Sequence, residues 1–118
     1  MNQNEGKNAA EAARTGQIER IAAMEKRMRR AVDALSALIA ALDAYDEARA
    51  DFRELEAYYD GADWRQDFED DEAGRLPSPA DLPRGVLSED GIYDLLGLER
   101  DVLGRMAETA GERMEETI

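Results

Sequence analysis

The sequence contains no cysteine and no histidine, and these two absences limit its chemistry. Without cysteine, the chain forms no disulfide and offers neither a thiolate nucleophile nor a thiolate metal ligand. Without histidine, it lacks the usual general base near neutral pH and the commonest ligand of transition metals. We therefore expect no enzymatic activity, no catalytic residue, no cofactor and a cytoplasmic location.

Long apolar runs are absent as well. No window approaches the roughly 20 apolar residues that a membrane-spanning helix requires, and the N-terminus lacks the apolar core of a signal peptide. The net charge of −13 is uneven, because residues 1–30 carry seven basic and four acidic side chains, whereas residues 31–118 carry eight basic and 24 acidic ones. This charge predicts a soluble protein that avoids nucleic acid and anionic membranes and favours a basic partner.

Proline and glycine are missing between Gln17 and Tyr59, where apolar residues recur at intervals of three and four. This spacing predicts one long amphipathic helix with coiled-coil character. Upstream, Asn8 and Glu11 have the spacing of a capping box. We therefore expect residues 1–16 to form a flexible or partly helical extension, and residues 17–118 to form a single helical domain.

A second stripe on this helix consists of small residues, and two explanations of it remain open. Alanine is the best helix former, so the stripe can reflect helix propensity alone. It can also mark a close contact with another helix. The residues are Ala34, Ala37, Ala41, Ala44 and Ala48.

The segment after Tyr59 predicts a short acidic helix. The residues from Asp60 to Asp63 can cap a helix that runs to about Ala73, with Gly74 as its C-terminal stop. Trp64 and Phe68 lie one turn apart and define its inner face. The aromatic residues near this point are predicted to fill a core, in preference to lining a ligand pocket. They are Tyr58, Tyr59, Trp64, Phe68 and Tyr93.

An ordered, proline-rich connection follows, and Ser88 is predicted to cap the last helix, which runs to about Glu116. We expect Arg84 to pair with Asp71 or Glu72 and so to close the connection. The residues to which we assign a structural role in the connection are Trp64, Gly74, Arg84, Gly85, Ser88 and Tyr93.

These elements predict an all-α fold, in which the long helix and a shorter antiparallel return helix form a helical hairpin. If Ile92 lies near Phe52, the acidic residues Glu112, Glu115 and Glu116 fall beside the basic ones Lys26, Arg27, Arg29 and Arg30. Each exposed pair contributes less than about 1 kcal/mol, so the charges orient the hairpin more than they stabilise it. The shorter return helix leaves the start of the long helix uncovered. We predict that this part forms a homodimer or binds a partner helix. The residues assigned to self-association are Ile18, Ile21, Met24 and Met28.

Seven acidic residues lie within thirteen positions around the short helix, and we predict that they bind a partner protein. They are Asp60, Asp63, Asp67, Glu69, Asp70, Asp71 and Glu72. Ca²⁺ or Mg²⁺ could use such carboxylates, but the ligand order of an EF-hand is not met, so no metal site is predicted. An acid/base pair of the glycosidase kind would need two carboxyl groups on either side of a cleft. A helical hairpin of this size offers little cleft, so no such pair is predicted.

Two functions follow from these features. We expect a non-enzymatic interaction or regulatory protein that uses its acidic surface and the apolar start of its long helix. The alternative is an acidic mimic of nucleic acid that inhibits a nucleic-acid-binding protein, such as a phage-encoded anti-defence or anti-CRISPR protein. Direct binding to nucleic acid is not expected, because the only basic run, MEKRMRR, contains no aromatic residue.

The order of three motifs carries a resemblance to a known family. ERIAAMEKRM is followed by EAYYDGADWRQDFEDDEAGRLP and then by RGVLSEDGIYDLL. This arrangement resembles, over residues 18–110, a family of small acidic bacterial proteins catalogued only as a domain of unknown function. The resemblance implies a helical cytoplasmic protein and no activity. The sequence departs from the family pattern at SPAD, which is about two residues longer, and at Pro83, where a lysine is usual.

Overall fold

The computed structural model of the protein describes residues 3–117 and is all-α, with no strand in this range. Helix α1 spans Gln3–Tyr59, α2 spans Ala62–Glu72 and α3 spans Gly91–Glu116. A short 3-10 helix, Gly85–Leu87, lies between α2 and α3. The chain divides into two compact units, a first unit of Met1–Glu47 and a second unit of Ala48–Ile118. Over the described residues, no helix has the length and apolar character needed to cross a membrane.

Helix α1 is continuous through the segment for which the sequence predicts a partly helical extension. It begins at Gln3 and passes through Thr15 and Gly16 without a break. The Thr15 hydroxyl donates to the carbonyl oxygen of Glu11 (2.9 Å), one turn earlier. This bond to the carbonyl four residues earlier is the usual way in which a threonine hydroxyl inside a helix is satisfied. The helix ends at Tyr59, where the sequence predicts its end.

The turn between α1 and α2 depends on Gly61. Its backbone is extended, with φ −95° and ψ 170°, and it precedes the first residue of α2. A Cβ atom at this position would lie 3.1 Å from the carbonyl oxygen of Ala57. That distance is shorter than most contacts of a Cβ atom, so a larger residue would crowd the last turn of α1. Glycine, which has no Cβ, lets the chain turn closely at this point.

The C-terminal end of α2 is a glycine-stopped cap, as predicted. Gly74 has a positive φ of 70°, a conformation that glycine adopts without steric strain. The Gly74 amide donates to the carbonyl oxygen of Asp71 (3.1 Å), and the Arg75 amide donates to that of Asp70 (2.9 Å). These two bonds are those of a Schellman motif, which satisfies the free carbonyl groups at a helix end.

Ser88 does not cap α3, and this prediction was wrong. The N-cap of α3 is Asp90, and the helix begins at Gly91. The Ser88 hydroxyl instead donates to the carbonyl oxygen of Gly85 (2.8 Å), which also accepts the Ser88 amide (3.2 Å). Ser88 therefore closes the 3-10 helix, and the N-cap of α3 makes no side-chain hydrogen bond.

The buried core lies where the connection meets α3. Leu87 (6% exposed) and Ile92 (3% exposed) are the buried residues within the described range. The 3-10 helix contacts both α2 and α3. The core of the second unit is thus built around the connection.

Candidate interaction surface

Trp64 joins α2 to the connection. Its indole N–H donates to the carbonyl oxygen of Val86 (2.8 Å) in the 3-10 helix. Its ring stacks on Phe68 with centroids 5.2 Å apart, and it meets the ring of Tyr59 edge-on at 5.0 Å. Aromatic pairs in these geometries contribute beyond the area that they bury. The predicted inner face of the short helix is therefore present.

Arg84 closes the connection, through one of the two partners that the sequence offers. Its Nε lies 2.8 Å from Oδ1 of Asp71, and its side chain is 17% exposed. The Nη1 group also donates to the carbonyl oxygen of Pro77. One guanidinium thus holds the end of α2 and the proline-rich segment together.

Tyr93 does not belong to this aromatic cluster, contrary to the prediction. It is 64% exposed, while the preceding residue, Ile92, is buried. Neighbouring residues on a helix point about 100° apart, so the position that buries Ile92 turns Tyr93 towards solvent. Tyr93 is instead part of the outer surface of α3.

The seven acidic residues around α2 separate into two groups. Asp67, Asp70 and Asp71 are half-buried, and each accepts a bond from another side chain. Asp60, Asp63, Glu69 and Glu72 are exposed. The first group fixes the position of α2, and the second group presents carboxylates to solvent. Within residues 3–117, no group of three or more acidic side chains is arranged to hold a metal ion.

The bond between Tyr58 and Asp67 links α1 to α2. The Tyr58 hydroxyl donates to Oδ2 of Asp67 at 2.6 Å. Partial burial, this hydrogen bond and the negative charges of Asp67 and Asp63 together raise the pKa of Tyr58 to about 12. Each of these causes favours the neutral phenol over the phenolate. The sequence alone did not indicate this pair.

Asp70 accepts hydrogen bonds from two side chains, those of Arg75 and Gln66. Nη1 of Arg75 lies 2.9 Å from Oδ1 of Asp70, and Gln66 donates to the same oxygen at 3.2 Å. The hydrogen bond from Arg75 is the main reason why the pKa of Asp70 is lowered, and the bond from Gln66 adds to it. Arg75 is the residue directly after the glycine stop of α2. This position was the one feature of the sequence that could have indicated that its side chain pairs with a carboxylate of α2.

The first unit presents the second candidate surface, an exposed apolar stripe on α1. The residues predicted to self-associate are all exposed, and the stripe continues beyond them for three further turns. Its members are 50–63% exposed and comprise Ile18, Ile21, Met24, Met28, Val32, Leu35, Leu38 and Ile39. An apolar face of this extent is the usual mark of a protein contact.

The fold and these two surfaces define a class: a helical protein whose connection is closed by side-chain bonds and whose exposed surfaces are acidic on α2 and apolar on α1. Residues 21–109 match the family described as Domain of unknown function (DUF4298), so the chain belongs to that family. No curated protein and no solved structure gives a significant match to the chain.

Proposed function

We propose that the protein is a non-enzymatic interaction or regulatory protein, and the exposed apolar stripe of α1 is the observation that carries this proposal. All eight side chains of the stripe are at least half exposed. Leaving such residues in water forfeits roughly 1.5–3 kcal/mol for each side chain that could be fully buried. A protein partner that covers the stripe recovers part of this free energy.

The exposed carboxylates of α2 supply the second part of the proposal, a surface for a basic partner. Asp60, Asp63, Glu69 and Glu72 lie on or next to a helix whose orientation is fixed by bonds at Asp67, Asp70 and Asp71. The second unit carries 20 acidic and eight basic side chains. Such a field steers a positively charged partner to this surface and weakens as salt is added.

The proposal retains the hairpin, in which α3 returns antiparallel along α1. It is supported by an apolar face on α3 whose members, Leu95, Val102, Leu103 and Met106, are 37–47% exposed. In this arrangement the acidic end of α3 lies beside Lys26–Arg30. Crosslinking between Arg27→Cys and Glu116→Cys in one chain tests it, and failure of that pair to react would remove the hairpin from the proposal.

The acidic surface is best tested with charge reversals at residues that make no internal bond. We expect the full chain to capture a basic protein from an extract of its native host. The double variant Asp63→Lys with Glu69→Lys should lose this protein, whereas Asp101→Lys with Glu108→Lys, at exposed residues of α3, has the same change in charge and should retain it. Asp70 and Asp71 are unsuitable, since their substitution also breaks the bonds to Arg75 and Arg84.

The alternative, a mimic of nucleic acid, is favoured by one observation. The exposed carboxylates stand on a helix held at both ends, and a nucleic-acid-binding channel recognises such closely spaced fixed negative charges as it recognises phosphates. If this function is correct, added DNA or RNA should release the captured protein at constant ionic strength. Retention in excess nucleic acid would exclude the mimic and leave the ordinary interaction protein.

A further inference from the structure

The exposed apolar stripe of α1 indicates that this helix is covered by another molecule. Its eight side chains, from Ile18 to Ile39, are 50–63% exposed. A continuous apolar face of this kind is typical of a contact with another protein.

The charges of α1 indicate which occupant fits. Four cations lie within Lys26–Arg30, and three carboxylates lie within Asp43–Glu47, while residues 34–42 between them carry no charge. In a parallel pair of α1 helices, each charged segment would lie beside its own copy and repel it. In an antiparallel pair, the basic segment of one helix lies beside the acidic segment of the other. Helix α1 is thus complementary in charge to a reversed second copy of itself.

One antiparallel register satisfies the charges and the apolar pattern together. When the two-fold axis passes between Ser36 and Ala37, residues 26–30 of one chain face residues 47–43 of the other. The same register places Leu35 opposite Leu38, Ala31 opposite Leu42 and Met28 opposite Tyr45 of the second copy. These pairs repeat with the alternating three- and four-residue spacing of a coiled-coil seam.

The half-buried part of the seam also fits this register. Leu42 and Tyr45 are half-buried in the chain, so each retains surface for a partner. Arg49 interrupts the apolar seam and falls opposite Met24 of the second copy, where its aliphatic stem can pack while its guanidinium lies near Glu25. The register thus gives the charged residue within the seam an apolar contact and an opposite charge.

The alanine stripe lies along one flank of this seam. Ala34 and Ala41 fall close to Ala41 and Ala34 of the second copy, on either side of the axis. Small side chains at these places let the two helices approach closely.

We propose that a second copy of the chain covers the apolar face of α1, antiparallel, with the two-fold axis between Ser36 and Ala37. This inference rests on the proposed function, because it identifies the occupant of the same apolar stripe. It extends the contact from the predicted start of the helix, Ile18 to Met28, to a seam centred farther along α1.

The absence of cysteine allows a direct test with single thiols. The full-length variants Ala31→Cys and Leu42→Cys are oxidised separately and as an equimolar mixture. In the proposed register, the thiol at position 31 of one chain lies opposite the thiol at position 42 of the other, so the two can form a disulfide. Two copies of position 31, by contrast, are about 16 Å apart along the helix axis. A disulfide needs Cα atoms within about 7 Å. We expect mass spectrometry to show the mixed disulfide in the mixture and no disulfide in either variant alone.

Light scattering on the same proteins supplies the second measurement. We expect a dimer for the unsubstituted chain, and Leu35→Asp should weaken dimerisation by roughly 30-fold or more, since it places a charge at the centre of the seam. Ala40→Asp, on the outer side of α1, is the matched control and should leave dimerisation unchanged. If Leu42→Cys impairs association, the pair Met28→Cys and Tyr45→Cys tests the same register.

Three outcomes would overturn the inference. A monomer in light scattering excludes a second copy as the occupant. Disulfides in Ala31→Cys alone indicate a parallel pair, and a dimer without the mixed disulfide indicates another register. None of these outcomes affects the capture of a basic protein by the acidic surface, so the proposed function fails or survives separately.

Discussion

The two units of the chain differ in their charge and in whether their apolar side chains are buried or exposed. The first unit is a stretch of one helix that carries seven basic and eight acidic residues, and it exposes a long apolar stripe. The second unit carries eight basic and 20 acidic residues, buries Leu87 and Ile92, and is joined by specific side-chain bonds. The second unit is therefore stabilised by its own buried residues and side-chain bonds, whereas the first unit, as a stretch of one helix, depends on helix propensity.

The largest expected effect concerns the core of the second unit. Ile92→Ala should lower the free energy of unfolding by about 3 kcal/mol, because it leaves a cavity at a residue that is 3% exposed. Leu98→Ala on the same helix, at a residue 59% exposed, should change it by less than about 0.5 kcal/mol. Urea unfolding followed by circular dichroism measures both. Equal effects would show that Ile92 is not a core residue of the second unit.

The next effect concerns the closed connection. Arg84→Ala should destabilise the protein by about 2 kcal/mol, because it leaves the half-buried carboxylate of Asp71 without its cation. The matched control is Arg113→Ala, which removes an ion pair to Glu116 that is 3.4 Å long and exposed on both sides. That change should cost less than about 0.5 kcal/mol in thermal or urea unfolding. A harmless Arg84→Ala would mean that the connection closes without its ion pair.

A smaller effect separates two glycines of α3. A Cβ atom at Gly91 would clash with the Ser88 hydroxyl and would lie 2.8 Å from the carbonyl oxygen of Gly85, whereas one at Gly97 would meet open space. We expect Gly91→Ala to destabilise by about 1–2 kcal/mol, and Gly97→Ala to stabilise by up to about 1 kcal/mol. Melting temperatures that move in the same direction for both would contradict the close approach of the connection to α3.

The smallest effect is a dependence on pH. The raised pKa of Tyr58, about 12 against an ordinary 10.0, means that its contribution to stability is complete below pH 10 and is lost as the pH rises through 12. Tyr58→Phe should cost about 1 kcal/mol at neutral pH, and its difference from the unsubstituted protein should shrink over that range. Phenolate absorbance should show one of the four tyrosines titrating last, and that component should be missing from the variant.

Local features of the sequence predicted much of this fold. The end of α1 at Tyr59, the stop at Gly74 and the contact between Trp64 and Phe68 follow from residues that are neighbours in the chain or one helical turn apart. The pairing of Arg84 with Asp71 was also predictable, since Arg84 is the one cation in the middle of the connection and Asp71 and Glu72 are nearby carboxylates. Short-range geometry and simple charge matching are sufficient in these cases.

The remaining features depend on contacts that sequence spacing does not specify. Ser88 is a good N-cap by residue type, but the position of the Gly85 carbonyl decides where its hydroxyl donates. The acidic residues around α2 cannot be told apart in the sequence. Those that become half-buried are the ones bonded to the side chains of Tyr58, Arg75 and Arg84. Tyr93 is turned outward because its neighbour Ile92 occupies the core.

The bond from Trp64 to Val86 gives the protein an intrinsic optical reporter. The chain has one tryptophan, so its fluorescence emission arises from a single site. That indole is bound to the backbone of the connection and packed between Tyr59 and Phe68, all within the second unit. Its emission therefore reports whether the connection is open or closed, without a label. Titration of a partner can then be followed at this site separately from any association through α1.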